Sequence, residues 1–261
     1  MKVDQYSNYR QYLKQLTENN QSSSWDFGMY VREAEQMTAF ARQSSTLIFV
    51  LDYAKRHYPF IDVNTHQLLG HSNEAFYEGG LEYMLHYNRD FKTFNEDMYR
   101  DRATFLDKHR ADDLSKYRFS MSYRIRGSKG EVRTVLQQTT IIHTTADNQP
   151  AGVLGFAWDI SRQMDGRKLI QQIEQFSPEQ QNWIVLVDKA YYPDIDKDQL
   201  LSKREIEILK WIIAGYTSQQ IADKLYISLH TVRTHRKNML YRTNTNNSME
   251  LRLFAENCGL L

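Results

Sequence analysis

The sequence predicts an α+β protein in which an antiparallel sheet with flanking helices is followed by an all-α domain of four short helices. Three observations predict it. Phe119, Met121, Tyr123 and Ile125 alternate with Ser120, Ser122 and Arg124, the period of a half-buried strand. Helix start signals recur through residues 197–261 at short intervals. Charge divides along the same line: residues 197–261 hold 10 Lys/Arg against 6 Asp/Glu, whereas residues 1–176 hold 22 of each. A positive excess confined to one end suits a polyanionic partner there.

The 261 residues, 41% of them hydrophobic, are enough for two domains with cores of their own. Apolar stretches such as Thr46–Leu51 fall well short of the ~18 residues a membrane span needs, and Met1–Tyr6 lacks a signal peptide's apolar core. The single cysteine, Cys258, excludes an intrachain disulfide and any multi-cysteine metal site. A protein of the cytoplasm is expected, with no membrane association.

In chain order, Tyr9, Tyr12, Leu13 and Leu16, then Met37, Phe40 and Ala41, have helical spacing and predict a helical extension over 1–39. Leu47–Leu51 and Tyr58–Val63 read as paired strands, and helices are expected between about Thr65 and Tyr117. After the strand at Phe119–Ile125, a turn at Gly127–Gly130 leads to a strand over Val132–Ile142. A second turn at Asn148–Pro150 leads to another, with Leu154, Phe156, Trp158 and Ile160 in alternation. The domain built on this sheet is placed at 40–162. Ile170, Ile173 and Phe176 suggest a connector helix over Arg162–Phe176, within a connector and linker spanning 163–196, although Trp183–Val187 is apolar enough to form a strand.

The C-terminal domain, 197–261, is set by capping chemistry. Ser202 with Glu205, and Thr217 with Gln220, are spaced as capping boxes; Leu201 with Ile206, Tyr216 with Ile221, and Ile227 with Val232 are spaced as hydrophobic staples. Gly215 suits a C-cap with positive φ. Ser228 opens a third helix running to about Arg242, and Asn247 with Glu250 opens a fourth that Gly259 can close. Only Tyr226, Ile227 and Ser228 separate helices two and three, which forces a sharp angle and gives a helix-turn-helix.

On a helical wheel with Val232 inward, Arg233, Thr234, Lys237 and Tyr241 face outward and Arg236 lies on the flank. A basic helix without acids can lie in a major groove, where Arg and Lys donate to guanine O6 and N7. Lys203, Arg204, Thr231, Arg236, Tyr241 and Arg242 are candidates for phosphate. Thr217, Ser218 and Ser228 mark helix N-termini whose free N–H groups suit anionic oxygens. His235, on the inward face, reads as a core histidine hydrogen-bonded to Glu205 or Glu207 rather than a metal ligand.

Leu201, Ser202, Arg204, Glu205, Glu207, Leu209, Ala214, Gly215, Ile221, Ala222, Leu225, Ser228, Thr231, Val232, Arg233 and His235 together resemble the LuxR-type helix-turn-helix domain of bacterial transcriptional regulators. The resemblance covers about a quarter of the chain. It implies that Arg233, Thr234 and Lys237 read bases in double-stranded DNA. It also implies that helix four, with Leu251, Phe254 and Cys258 on one side, supplies the contact of a homodimer. The chain departs from the family at Arg242, Thr243, Asn244 and Thr245, where Lys-Leu and a small residue with Val are usual.

Leu68, Leu69, Gly70 and His71, then Tyr123–Val135 with its Gly130-Glu131-Val132-Arg133 hairpin, and Gly155–Ile160 resemble a PAS sensor domain. That family implies a five-stranded antiparallel sheet around a small pocket and a possible small-molecule ligand. Phe119, Tyr123, Phe156 and Trp158 are candidates to line an apolar interior. No cofactor is specified: a flavin photoadduct lacks its cysteine, and His57, His66, His71, His86, His109 and His143 are available to haem only in number. Asp52 at a strand end suggests a phosphorylated receiver, but the alternating β/α order is missing, and Asp52 reads as a cap. No Walker loop, Gly-x-Ser-x-Gly elbow or His-Glu-x-x-His pair points to an enzyme. The rival readings are an interaction module without specific DNA binding and a sigma-factor-like promoter-recognition protein.

Overall fold

The computed structural model describes residues 8–20, 25–62, 70–164, 168–193, 201–243 and 245–257. The chain divides into two compact units, Met1–Lys189 and Ala190–Leu261.

The first unit opens with α1 (Tyr9–Asn19), whose Asn8 side chain accepts from Gln11 N, and α2 (Gly28–Gln43). Strands β1 (Leu47–Asp52) and β2 (His57–Ile61) form a hairpin. Asp52 accepts from Lys55 N at 3.0 Å within that turn, the capping role expected of it. Helix α3 (Asn73–Tyr87), a short turn of helix (Phe91–Thr93), a π-helical stretch (Phe94–Met98) and α4 (Tyr99–Lys108) follow. Then come β3 (Tyr117–Arg126), β4 (Val132–Thr144), β5 (Pro150–Asp159), β6 (Leu169–Ser177) and β7 (Asn182–Tyr191).

These strands form one sheet in the order β2-β1-β5-β4-β3-β6-β7. The pairs β1/β2, β1/β5, β4/β5, β3/β4 and β3/β6 are all antiparallel. This is the expected antiparallel sheet with flanking helices, with two strands more than the five expected.

The extension corrects one expectation. Residues 169–177, expected within a connector helix, are strand β6, paired with β3 from Tyr117↔Gln175 to Met121↔Gln171. Ile170, Ile173 and Phe176 mimic a helical stripe, but the deeply buried residues are Leu169 and Ile173, with Gln171 between them on the same face. The free edge of β3 supplies backbone partners that no local spacing reveals. Arg118 seals the pairing, donating to both carboxylate oxygens of Glu174 at 2.7 Å.

Both faces of the sheet are covered. Phe27, Ala34 and Ala41 of the α2 segment pack on Ile48 and Val50, while Phe49 lies edge-on to Tyr58, and Tyr58 to Phe76 of α3, on the opposite face. Strand β1 is consequently buried at all six positions, which is why it reads as an unbroken apolar run. Period two cannot tell one covered face from the other, and this produces a second correction. Phe156 packs with the α2 cluster and stacks on Trp158, away from Phe119 and Tyr123. The opposite face of β5 carries the buried small residues Ala151, Val153, Gly155 and Ala157. A Cβ on Gly155 would lie 2.2 Å from the Phe49 ring, so only glycine admits that ring.

The helical segment is fastened to the sheet by a buried ion pair. Asp90 accepts from the backbone N–H of Arg124 at 2.7 Å and from its guanidinium, with side chains only 1% and 6% exposed. Arg89 N–H donates to the Arg124 carbonyl beside it at 2.9 Å.

The second unit is all-α: α5 (Lys203–Ile213), α6 (Ser218–Leu225), α7 (Leu229–Thr243) and α8 (Ser248–Asn257). Both capping boxes form, Ser202 with Glu205 and Thr217 with Gln220. All three staple pairs lie in a single core built on Ile208, Leu209, Ile221, Val232 and Met239. Gly215 adopts φ 86°, open to L-residues only under strain. Trp211 meets Tyr216 edge-on at 5.0 Å, with the Lys224 ammonium 4.8 Å above its ring. Asn247 caps α8, accepting from Met249 N and Glu250 N. Gly259 lies outside the described residues.

Where the chain departs from the family pattern, two hydroxyls replace apolar packing. Thr243 and Thr245 are buried and face each other at 2.8 Å, and Thr243 donates onward to the Met239 carbonyl. Neither hydroxyl is left unpaired, so the polar substitution is accommodated. Among the described residues no helix is long and apolar enough to cross a membrane.

Candidate nucleic-acid interface and sensor interior

Helices α6 and α7 are joined through Tyr226, which takes the left-handed conformation at φ 51° as the C-cap of α6. Ile227 N–H then donates to the Ala222 carbonyl at 3.0 Å, closing the turn. Ser228 caps α7, accepting from Thr231 N at 3.0 Å. Val232 and Met239 anchor the inner face of α7 in the core. Opposite them, Arg233, Thr234, Lys237 and Tyr241 are all exposed, as the wheel expects. His230 and Asn238 join that face and were missed, although the same wheel places them there. No Asp or Glu occurs between Leu229 and Thr243, so nothing on this face repels phosphate.

The expected phosphate ligands fall into two groups. Lys203, Thr217 and Tyr241 are exposed, and Ser218 and Thr231 are half-buried, with the Thr231 hydroxyl 2.8 Å from Ser228 in the cap. Arg204, Arg236 and Arg242 have internal work. Arg204 bonds Glu207 and donates to the Leu225 carbonyl at 3.0 Å. Arg236 donates to Ser218 at 3.1 Å and to Ser248 at 2.6 Å, tying α6, α7 and the start of α8 together. Arg242 bonds Glu205 at 3.0 Å.

Glu205 is therefore more than a capping residue. Only 1% exposed, it accepts from Ser202 N–H and from Arg242, and His235 Nδ1 lies 3.9 Å away. The expected histidine partner is found at ion-pair rather than hydrogen-bond distance. No local spacing signals the Arg242 contact, which spans 37 residues.

The dimer residues need correcting. Leu251 and Phe254 are each 1% exposed inside the unit's own core, where Tyr192 meets Phe254 edge-on, and so are not displayed to a partner. The apolar positions that α8 does display are Met249 and Leu253. Cys258 lies outside the described residues.

In the first unit, buried phenols stand where an apolar lining was expected. Tyr9, Tyr58 and Tyr123 are buried, and burial above all, reinforced by the neighbouring Tyr53 phenol, pushes each hydroxyl above its ordinary ionisation range. Tyr123 donates to Gln137 at 2.8 Å. A separate cleft of about 130 Å³ lies between α1 and the β4–β5 turn, lined by Tyr12, Asn19, Asn20 and Asp147 among others. Three of the histidines have hydrogen-bond partners: His71 bonds Tyr83 and the Arg126 carbonyl, His109 the Phe105 carbonyl and His143 the Asp26 carbonyl. His66 lies outside the described residues. Among the described residues no cluster of His, Cys, Asp and Glu could hold a metal ion.

Residues 199–255 match the family described as bacterial regulatory proteins, luxR family. The C-terminal unit is a LuxR-type helix-turn-helix domain. Over 60 residues this LuxR-type segment is 40% identical to the oxygen regulatory protein NreC of Staphylococcus carnosus, covering 23% of this chain and 28% of NreC. It is 45% identical to the regulatory protein SdiA of Escherichia coli, covering 23% of this chain and 25% of SdiA. The chain thus spans about a quarter of the length of these relatives. Among solved structures, a Vibrio cholerae VqmA dimer described as a LuxR-type receptor aligns over 87% of this chain and 88% of its own, at 14% identity and TM-score 0.33. A PAS domain from Colwellia psychrerythraea aligns over 51% of this chain and 98% of its own, at 14% identity and TM-score 0.36.

Proposed function

We propose that the protein is a bacterial transcriptional regulator of the cytoplasm that binds specific double-stranded DNA through its LuxR-type domain, under control of a PAS-like domain that senses a small molecule or partner. The observation that carries this reading is the outer face of α7, basic, free of acids and held by a packed core. In this reading Arg233, Thr234 and Lys237 contact base edges. Lys203, Thr217, Ser218, Thr231 and Tyr241 contact phosphates. Arg204, Arg236 and Arg242 add positive charge while their guanidinium groups brace the fold. The protein acts as a homodimer on two-fold-related half-sites, and its mechanism is binding: a sensed ligand changes DNA affinity only by its differential affinity for two sensor states.

Selection of bound fragments from a random genomic DNA pool at fixed salt tests this, using the full chain and an Arg233→Ala/Lys237→Ala variant. Enrichment of a two-fold symmetric motif that the variant loses is expected. Each single substitution should weaken specific binding by about 1–3 kcal/mol and relax preference at one position, whereas Lys203→Ala should weaken all sequences alike. Unchanged sequence preference in both single variants removes Arg233 and Lys237 as base readers.

A further inference from the structure

The two outer strands of the sheet are finished in opposite ways. At the β2 edge the backbone is covered: Pro59 removes a donor, and the Tyr77 phenol of α3 both donates to the Ile61 carbonyl at 3.1 Å and accepts from Ile61 N–H at 3.2 Å. At the other end of the strand order, β7 presents Trp183-Ile184-Val185-Leu186-Val187, with Ile184, Val185 and Leu186 at 39%, 49% and 42% exposure. The strand is held firmly in place. Trp183 packs against Phe176 at 5.5 Å and beneath the Arg118 guanidinium at 4.3 Å, and Lys189 bonds Asp101 at 2.8 Å. An ordered, apolar outer strand is a template for strand addition.

The sequence of β7 names its occupant. Its five apolar residues are centred on Val185 and flanked by Asn182 on one side and Asp188 on the other. Paired antiparallel with its own copy about Val185, Trp183 opposes Val187, Ile184 opposes Leu186, Val185 opposes itself, and the Asn182 amide meets the Asp188 carboxylate. A shift of the centre by one residue toward Leu186 sets Ile184 against Asp188 and Trp183 against Lys189, and the matching is lost. We propose that β7 is a homodimerisation edge at which a second copy of this chain adds its β7 antiparallel about Val185, joining two sheets into one. The inference is independent of DNA reading, because its test contains no DNA.

The test uses the full chain with its single cysteine removed by Cys258→Ser, carrying Val185→Cys or Val187→Cys, oxidised mildly at micromolar concentration. Directly opposed residues have Cα atoms about 4.5–5.5 Å apart, within disulfide reach, whereas two copies of residue 187 stand about 13 Å apart along the strand. The Val185→Cys chain should form a covalent dimer and the Val187→Cys chain should do so on the order of ten-fold more slowly. In parallel, Val185→Lys sets two ammonium groups against each other and should shift the sedimenting species from dimer to monomer with its circular dichroism unchanged. A parent chain that is monomeric throughout, equal cross-linking at 185 and 187, or a dimer that survives Val185→Lys overturns the proposal.

Discussion

Glu205 shows how much a single residue position does in the LuxR-type domain. It closes the capping box of α5 and, buried, answers the Arg242 guanidinium from the end of α7. Glu205→Ala should therefore cost about 1 kcal/mol for the lost cap and a further ~1–3 kcal/mol for the charged bond. Thermal unfolding of the full chain checks this, the C-terminal transition moving and the N-terminal one staying in place. The capping half of this role is legible in sequence, since Ser202 and Glu205 are three residues apart. The Arg242 half is not, because it depends on where α7 ends relative to α5. The same distinction runs through the basic residues of this domain: exposure of Arg233 and Lys237 follows from helical period alone, whereas the internal engagement of Arg204, Arg236 and Arg242 is tertiary.

At the scale of elements, local chemistry fixes the C-terminal helices and long-range pairing fixes the sheet. Each of α5 and α6 starts at a capping box and packs by its staple, so their limits can be read from neighbouring residues. Strand β6 has no such signal; its apolar spacing fits either period, and the edge of β3 decides. The Leu251 and Phe254 assignment failed for a related reason: an apolar stripe marks the buried face of a helix, and in a small domain that face belongs to the domain's own core. The attachment of the helical segment to β3 rests on Asp90 and Arg124. Asp90→Ala removes the buried carboxylate that answers both the guanidinium and the backbone N–H of Arg124, an expected loss of about 3–5 kcal/mol. Arg124→Ala should cost a similar amount and the double variant less than the sum, a coupling that denaturant titration of all three variants measures.

For the whole molecule, the uneven placement of phenols predicts two responses to alkali. Tyr9, Tyr58 and Tyr123 are held neutral in the folded first unit above the ordinary phenol value of 10.0. The unfolded chain releases those protons earlier, so their stabilisation is complete below that value and declines as pH rises past it. Tyr226 and Tyr241 of the LuxR-type domain are instead exposed. Circular dichroism on raising the pH should show the strand signal and the first unit's share of the helix signal lost together, ahead of the helices of the LuxR-type domain; loss of helix signal with the strand signal intact contradicts this. The setting of Trp211 has a practical consequence for such an assay. The other three tryptophans, Trp25, Trp158 and Trp183, all precede Lys189, leaving Trp211 as the sole indole of the second unit. Its ring sits against Tyr216 and Lys224, on the helix and turn that lead into the helix-turn-helix. Replacing the other three with phenylalanine would leave a single-tryptophan reporter, its indole emission tracking the LuxR-type domain while the first unit is titrated unseen.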